Sequence, residues 1–336
     1  MSAPMQPGRP GRGVPADPTG PADAVAPAGS TGPASPAGRP WTTPTASSPP
    51  PDRGDRPVPH EAAGYRPAAT LRLRVELVRQ LRRRRTQISL GFLALLPFIL
   101  LAAFELGSSD GGGSRGLVDL ATASGPNFTI FALFASSGFL LVVVVALFFG
   151  DTVASEASWS SLRYLLAAPV PRARLLRQKA IVSTLLTVLA LLVLPVVATS
   201  VGVLWYGAGD TESPTGESLP FGTALLRITL AVAYLLVHLS WVAALAMLLS
   251  VSTDAPLGAV GGAVLVSILS QILDSITALG DLRDWLPTHY AFAWSDLLTT
   301  DVDWSDMAWG SFSALCYATV FAALAWRRFA TKDITS

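Results

Sequence analysis

The chain has 336 residues, 51% of them hydrophobic and 14% charged, whereas ordinary soluble domains carry about 25% charged residues. That balance excludes a typical soluble protein, and a formal net charge of +1 gives a nucleic-acid role no electrostatic support. The single cysteine, Cys316, lies in an apolar stretch and excludes an intrachain disulfide or a thiolate cluster. The three histidines, His60, His238 and His289, are too scattered to suggest a metal site.

Residues 1–69 hold 17 of the 26 prolines, mixed with Gly, Ala, Ser and Thr. No apolar run there could offset the cost of ordering, so a disordered tail is expected. The tail lacks the basic start and apolar core of a cleavable signal and is expected to stay in the cytoplasm. From 70 to 87 the chain runs TLRLRVELVRQLRRRRTQ. Leu71, Val75, Leu77, Val78 and Leu81 fall on one broad helical face and Arg72, Arg79 and Arg83 gather opposite, the pattern of a helix lying in the membrane interface.

Six apolar segments follow within 88–329, at about 88–106, 128–150, 180–205, 222–249, 256–278 and 308–326. Each approaches or exceeds the ~20 residues that cross a bilayer as a helix. The expected fold is therefore an all-α integral membrane protein of six transmembrane helices, with a short tail over 330–336. Basic residues set the orientation. Arg82 to Arg85, Arg163, Arg172, Arg174, Arg177, Lys179, Arg327, Arg328 and Lys332 fall on one side, whereas the connections of the other side carry only Arg115 and Arg283 among a run of acids. Both termini are expected in the cytoplasm of a multi-pass protein of the cell membrane.

The long connection on the basic side, GDTVASEASWSSLRYLLAAPVPRARLLRQK from Gly150 to Lys179, divides at Pro169 and Pro171 into an amphipathic helix and a basic re-entry. Trp159, Leu162, Leu165 and Leu166 can share a face. A helix with a single glutamate, Glu156, followed by LLAAPVPRARLLRQK resembles the transmembrane permeases of type-2 ATP-binding-cassette (ABC) exporters. So do the Arg-rich helix before the first span, the stretch LPTHYAFAWSDLL at 286–298 and the charged ending from Arg327 to Asp333. The resemblance covers about residues 70–333. One departure is the serine-rich Ser158 to Ser161, where a glycine and threonine often follow the glutamate.

The resemblance implies a coupling helix around Glu156 received by a separate cytoplasmic ABC ATPase subunit, with Glu156, Trp159, Arg163 and Arg172 at the contact. It also implies a second permease copy or paralogue as dimer partner, export by alternating access, and outer helices near 283–298 that cap the exit. Against this, Glu156 can simply favour a helix start and the arginines can simply obey topology.

A phosphate-binding loop requires Gly-Lys followed by Ser or Thr. The two lysines, Lys179 and Lys332, follow Gln178 and Thr331, so no cofactor is expected in this chain, and ATP and Mg would be bound by the partner.

Ionisable groups at membrane depth are functional candidates. His238, midway along the fourth span, can line a substrate path or bond a neighbouring helix. Arg227 and Asp274 should lie at similar height near the outer ends of the fourth and fifth spans, where they pair across the helices or snorkel separately. Trp285, Tyr290, Phe292, Trp294 and Trp304 are expected in the headgroup belt. Two rival readings use the same features: a membrane scaffold that docks a cytoplasmic protein without transport, and an autonomous ion-coupled carrier, which would ordinarily place paired acids or bases near mid-membrane.

Overall fold

The structure, a computed structural model, describes residues 73–107, 116–158, 172–212, 216–299 and 301–331. The Pro-rich tail expected over 1–69 and the residues from Trp159 to Pro171 lie outside the described residues.

The described chain is almost entirely helical, and the reason is visible in its composition. Inside a bilayer every backbone N–H and C=O must be satisfied within its own segment, which leaves a long apolar stretch the helix as its route across. A short helix α1 (Leu73–Leu81) precedes α2 (Arg84–Gly107). The amides of Arg82 and Arg83 close a tight turn on the carbonyls of Val78 and Gln80, so Arg84 and Arg85 open the long helix instead of ending the interfacial one. After α3 (Leu117–Thr122) come α4 (Gly125–Ser137) and α5 (Leu140–Ser158), then α6 (Arg172–Tyr206). A two-residue hairpin of β1 (Thr211–Glu212) and β2 (Ser218–Leu219) leads into α7 (Phe221–His238), α8 (Ser240–Ser252) and α9 (Pro256–Asp274). Two 3₁₀ segments, Thr277–Trp285 and Ala293–Leu298, connect to α10 (Ser305–Thr331).

Among the described residues five helical stretches are long and apolar enough to cross a membrane, or six if α4 and α5, bent by 57°, form one broken span. The second expected span is thus not a single straight helix. Its break falls at Gly138 and Phe139, after Ser136 and Ser137, whose hydroxyls donate back to the carbonyls of Ala132 and Leu133. Serine hydroxyls bonded to the preceding turn bend helices. The Gly138 carbonyl at the break accepts from Gln271 Nε2 of α9 at 2.6 Å.

The bundle has a basic end, with α1, the start of α2 and α6 and the end of α5, and an acidic end near Gly125, Gly207 and Asp274. The core lies between α4, α5, α6, α7 and α8, around Val145, Leu191, Leu194, Leu235, Trp241 and Val242. A smaller cluster at the acidic end joins Phe104, Phe128, Ala132, Ala198 and Val201. There α4 and α6 cross through two glycines: a Cβ on Gly202 would stand 2.8 Å from the Gly125 carbonyl oxygen, and one on Gly125 2.6 Å from the Val203 nitrogen. Small residues at such crossings allow the close backbone approach that membrane helices use in place of a hydrophobic drive.

Candidate functional site

The densest polar construction among the described residues sits at the basic end, where α1 and the start of α2 meet α5 and α6. It begins with two carboxylates five residues apart on α5, Asp151 and Glu156. Glu156 is only 4% exposed, and its Oε1 takes Lys179 Nζ of α6 at 2.6 Å and Arg79 Nη2 of α1 at 3.0 Å. Arg79 also holds Glu76 at 2.7 Å, and Gln80 donates to the same Glu76 oxygen at 3.2 Å. Burial works against ionisation of Glu76, but the hydrogen bond from Arg79 and the nearby charges of Lys179 and Arg79 outweigh it and keep the carboxyl below its usual range.

The second carboxylate ties down the following turn. Arg85 Nη1 reaches Asp151 Oδ1 at 2.6 Å, and Arg83 Nη1 stands 3.4 Å from both Asp151 Oδ2 and the Ser155 hydroxyl. Beneath them Lys179 donates to the Thr152 carbonyl at 3.3 Å, and the hydroxyls of Thr152 and Ser183 meet at 2.9 Å. Four cationic side chains, Arg79, Lys179, Arg83 and Arg85, converge on Glu156 and Asp151, so each buried charge has a partner, the condition under which such groups persist away from water. Glu156 lies near the end of α5 and Lys179 two turns into α6, so the pair bonds these two helices to one another and, through Arg79, to α1.

This geometry corrects one expectation and extends another. Glu156 does not stand on an outward helix face offered to a partner. Helix α5 continues past the apolar run to Ser158, which carries Glu156 inward against Lys179. Trp159 and Arg163 lie outside the described residues, as does the Arg172 side chain, although Arg172 opens α6. The residues that sequence reasoning missed are Glu76, Gln80, Asp151 and Lys179. The signal available for them was the acid at each end of an otherwise basic neighbourhood, Glu76 within the arginines of α1 and Asp151 at the end of an apolar span.

Of the two alternatives for Arg227 and Asp274, the pairing across the helices is not formed. Arg227 donates to the carbonyls of Leu297, at 2.7 Å, and Thr299, because the 3₁₀ segment Ala293–Leu298 packs against α7 and presents carbonyls that have no helical partner. Asp274 instead has His289 Nδ1 at 2.6 Å and Arg283 Nε at 3.5 Å. Trp294 is also misplaced by the headgroup-belt expectation: it is 1% exposed, with its ring 4.4 Å from Phe134 of α4. Trp285 and Trp304 are exposed.

His238 is buried beside the break between α7 and α8, stacked on Tyr234 at 5.7 Å. It borders a small cavity shared with Ser137, Trp241, Ser267, Gln271 and Thr288. It is not joined to Arg227 or Asp274.

No curated protein matches the chain. A family profile described as a protein of unknown function, DUF2705, matches residues 117–335, from α3 through the last described helix and over more than half of the 336 residues. The chain, multiply crossed by apolar helices and built around this ionic junction, belongs to the DUF2705 family.

Proposed function

We propose that the chain is the transmembrane permease subunit of a type-2 ABC exporter, working with a separate ATPase. The observation that carries this reading is the Glu156–Lys179 pair, which ties α5 to α6 on either side of the connection at 159–171 and joins both to α1 through Arg79. A force applied to that connection by a soluble partner would reach α5 and α6 together, because the pair resists their separation, and would be shared with α1 and α2 through Arg79, Arg83 and Arg85. The absence of any Gly-Lys pair in the 336 residues assigns hydrolysis to another polypeptide.

In this account α4 and α5 form one broken span, giving six, with both termini cytoplasmic and the basic end inward. The protein resides in the cell membrane and acts as a dimer with a second copy or a paralogous permease. Trp159, Arg163 and Arg172 serve the ATPase contact. Glu156 serves as the internal anchor of the connection, a role different from direct contact. The substrate moves by alternating access, and His238, buried at the break between α7 and α8, is the central ionisable group nearest such a path.

The test uses the permease co-expressed with its ATPase and reconstituted in lipid. Glu156→Gln combined with Lys179→Met should leave association with the ATPase intact and lower transport per ATP hydrolysed. Equal transport and equal coupling in the variant would remove the junction from the mechanism. A protein that neither transports nor binds an ATPase would return the assignment to a scaffold or an ion-coupled carrier.

A further inference from the structure

Sequence and structure together place an amphiphile-shaped cleft at the acidic end, away from the ionic junction. Its wall is a single face of α10: Trp309, Phe312, Ser313, Cys316, Tyr317, Val320 and Phe321 recur at intervals of three and four residues, the spacing that stacks side chains on one helix face. From Trp309 to Phe321 that face runs for about 18 Å, more than half of the ~30 Å hydrocarbon core. The mouth is made by Asp284, Trp285 and Tyr290 of the preceding connection. The cleft measures about 610 Å³, within the roughly 300–1,000 Å³ of small-molecule sites.

The cleft is held open by specific contacts. Tyr317 Oη donates to the Trp285 carbonyl at 2.8 Å, and Tyr234 Oη to the Tyr290 carbonyl at 2.6 Å. Gly310 allows α10 to approach the mouth: a Cβ there would lie 2.2 Å from Tyr234 Oη and 2.6 Å from Tyr290 Cβ. The cleft is therefore tied to the bundle at its mouth.

Its chemistry selects a charge sign. Six aromatic rings contribute to it, and ring faces attract cations, most of all quaternary ammonium groups. The acidic lining group ionised at neutral pH is the Asp284 carboxylate, and among the described lining residues none is basic. Around it, His289 Nε2 stands 3.3 Å from Asp284, while Arg283 is directed to Asp274 at 3.5 Å. Asp281 lies in the same connection. An anionic head would meet a carboxylate without a compensating cation in the cleft, whereas a cationic head would meet both the carboxylate and the rings.

We infer that this cleft binds single-chain cationic amphiphiles, with a quaternary ammonium head at Asp284, Trp285 and Tyr290 and an alkyl tail along the α10 face. The inference does not rest on the transport reading, since it concerns equilibrium binding.

The experiment is equilibrium binding of radiolabelled tetradecyltrimethylammonium to the purified full-length protein in a neutral maltoside detergent. Saturable binding of one ligand per chain is expected. Asp284→Asn should weaken it about tenfold, and Trp285→Leu with Trp309→Leu by a similar factor. Asp284→Glu should restore it, and Trp304→Leu, an exposed tryptophan outside the cleft, should leave it unchanged. All variants are compared at matched size-exclusion profiles. Binding that is unaltered by Asp284→Asn overturns the inference. So does displacement by an equal concentration of a tetradecyl phosphocholine, which would make the occupant a choline lipid, or a cleft closed to ligand because a second copy covers it.

Discussion

At the level of single residues, the account rests on charges that are buried only because they are paired. Removing one partner of a buried pair leaves an uncompensated charge and costs roughly 3–5 kcal/mol, whereas replacing both with apolar groups is often nearly neutral. Lys179→Met alone should therefore lower the melting temperature of the detergent-solubilised protein sharply, and Lys179→Met with Glu156→Leu should recover much of the loss. A double variant less stable than either single one would show that the pair is not the unit argued for. Asn127 gives a neutral counterpart. Its side-chain amide donates to the carbonyls of Leu120 and Glu212 at 2.8 and 2.9 Å and its oxygen accepts from the Glu212 amide at 3.0 Å, which pins the short hairpin to the start of α4. Asn127→Leu strands these groups, each worth about 1–3 kcal/mol when left unsatisfied. The expected result is a loss of thermal stability, together with faster hydrogen exchange confined to residues 207–220.

At the level of elements, α1 is the segment whose attachment depends most on charge. The Glu76 carboxyl is held below its usual range in the folded state, so its contribution is fully present at neutral pH and is lost as pH falls through that lowered value. Arg79 remains cationic across this window, since burial opposes its charge but the two glutamates more than offset that. Hydrogen exchange at α1 should be slow at pH 7 and rise below about pH 4.5, while α7 stays protected. Exchange at α1 independent of pH would contradict the assigned role of Glu76. At the α4/α5 bend, Gln271→Leu strands the Gly138 carbonyl and should cost about 1–3 kcal/mol, read as a lower melting temperature at unchanged topology.

The elements also show which parts of the molecule were legible in the sequence. The long apolar helices could be read directly, because a bilayer sets a length and excludes charge across it. The bend at Gly138 could not, since Ser136, Ser137 and Gly138 are small residues within an apolar run and the group that accommodates the break, Gln271, comes from a helix far along the chain. The contact role of Glu156 came from the resemblance, but its side chain is held by Lys179 and by Arg79, a residue 77 positions earlier. For Arg227 the sequence offered a carboxylate partner or separate snorkelling, while its acceptors are backbone carbonyls at the end of a 3₁₀ segment, which carry no mark in the sequence.

At the scale of the whole molecule, a bundle with one basic and one acidic end exposes apolar side chains along α2, α9 and α10, among them Phe92, Leu265 and Leu315. Lipid covers such faces at no cost where water would not. The orientation proposed from the basic residues can be measured. With Cys316 replaced by serine, a cysteine at Ser218 should react with an impermeant maleimide added to intact cells, and one at Ser252 only after permeabilisation. Reaction of both from outside would invalidate the arrangement of helix ends described above.

The central claim, that this chain couples to a separate ATPase through the connection closed by Glu156 and Lys179, is tested most directly by affinity purification in a mild detergent with an ATP hydrolysis assay on the product. The account expects a nucleotide-binding subunit in stoichiometric amount, with hydrolysis that depends on it. Recovery of this chain alone and without hydrolysis, under conditions that preserve other permease–ATPase complexes, would contradict it.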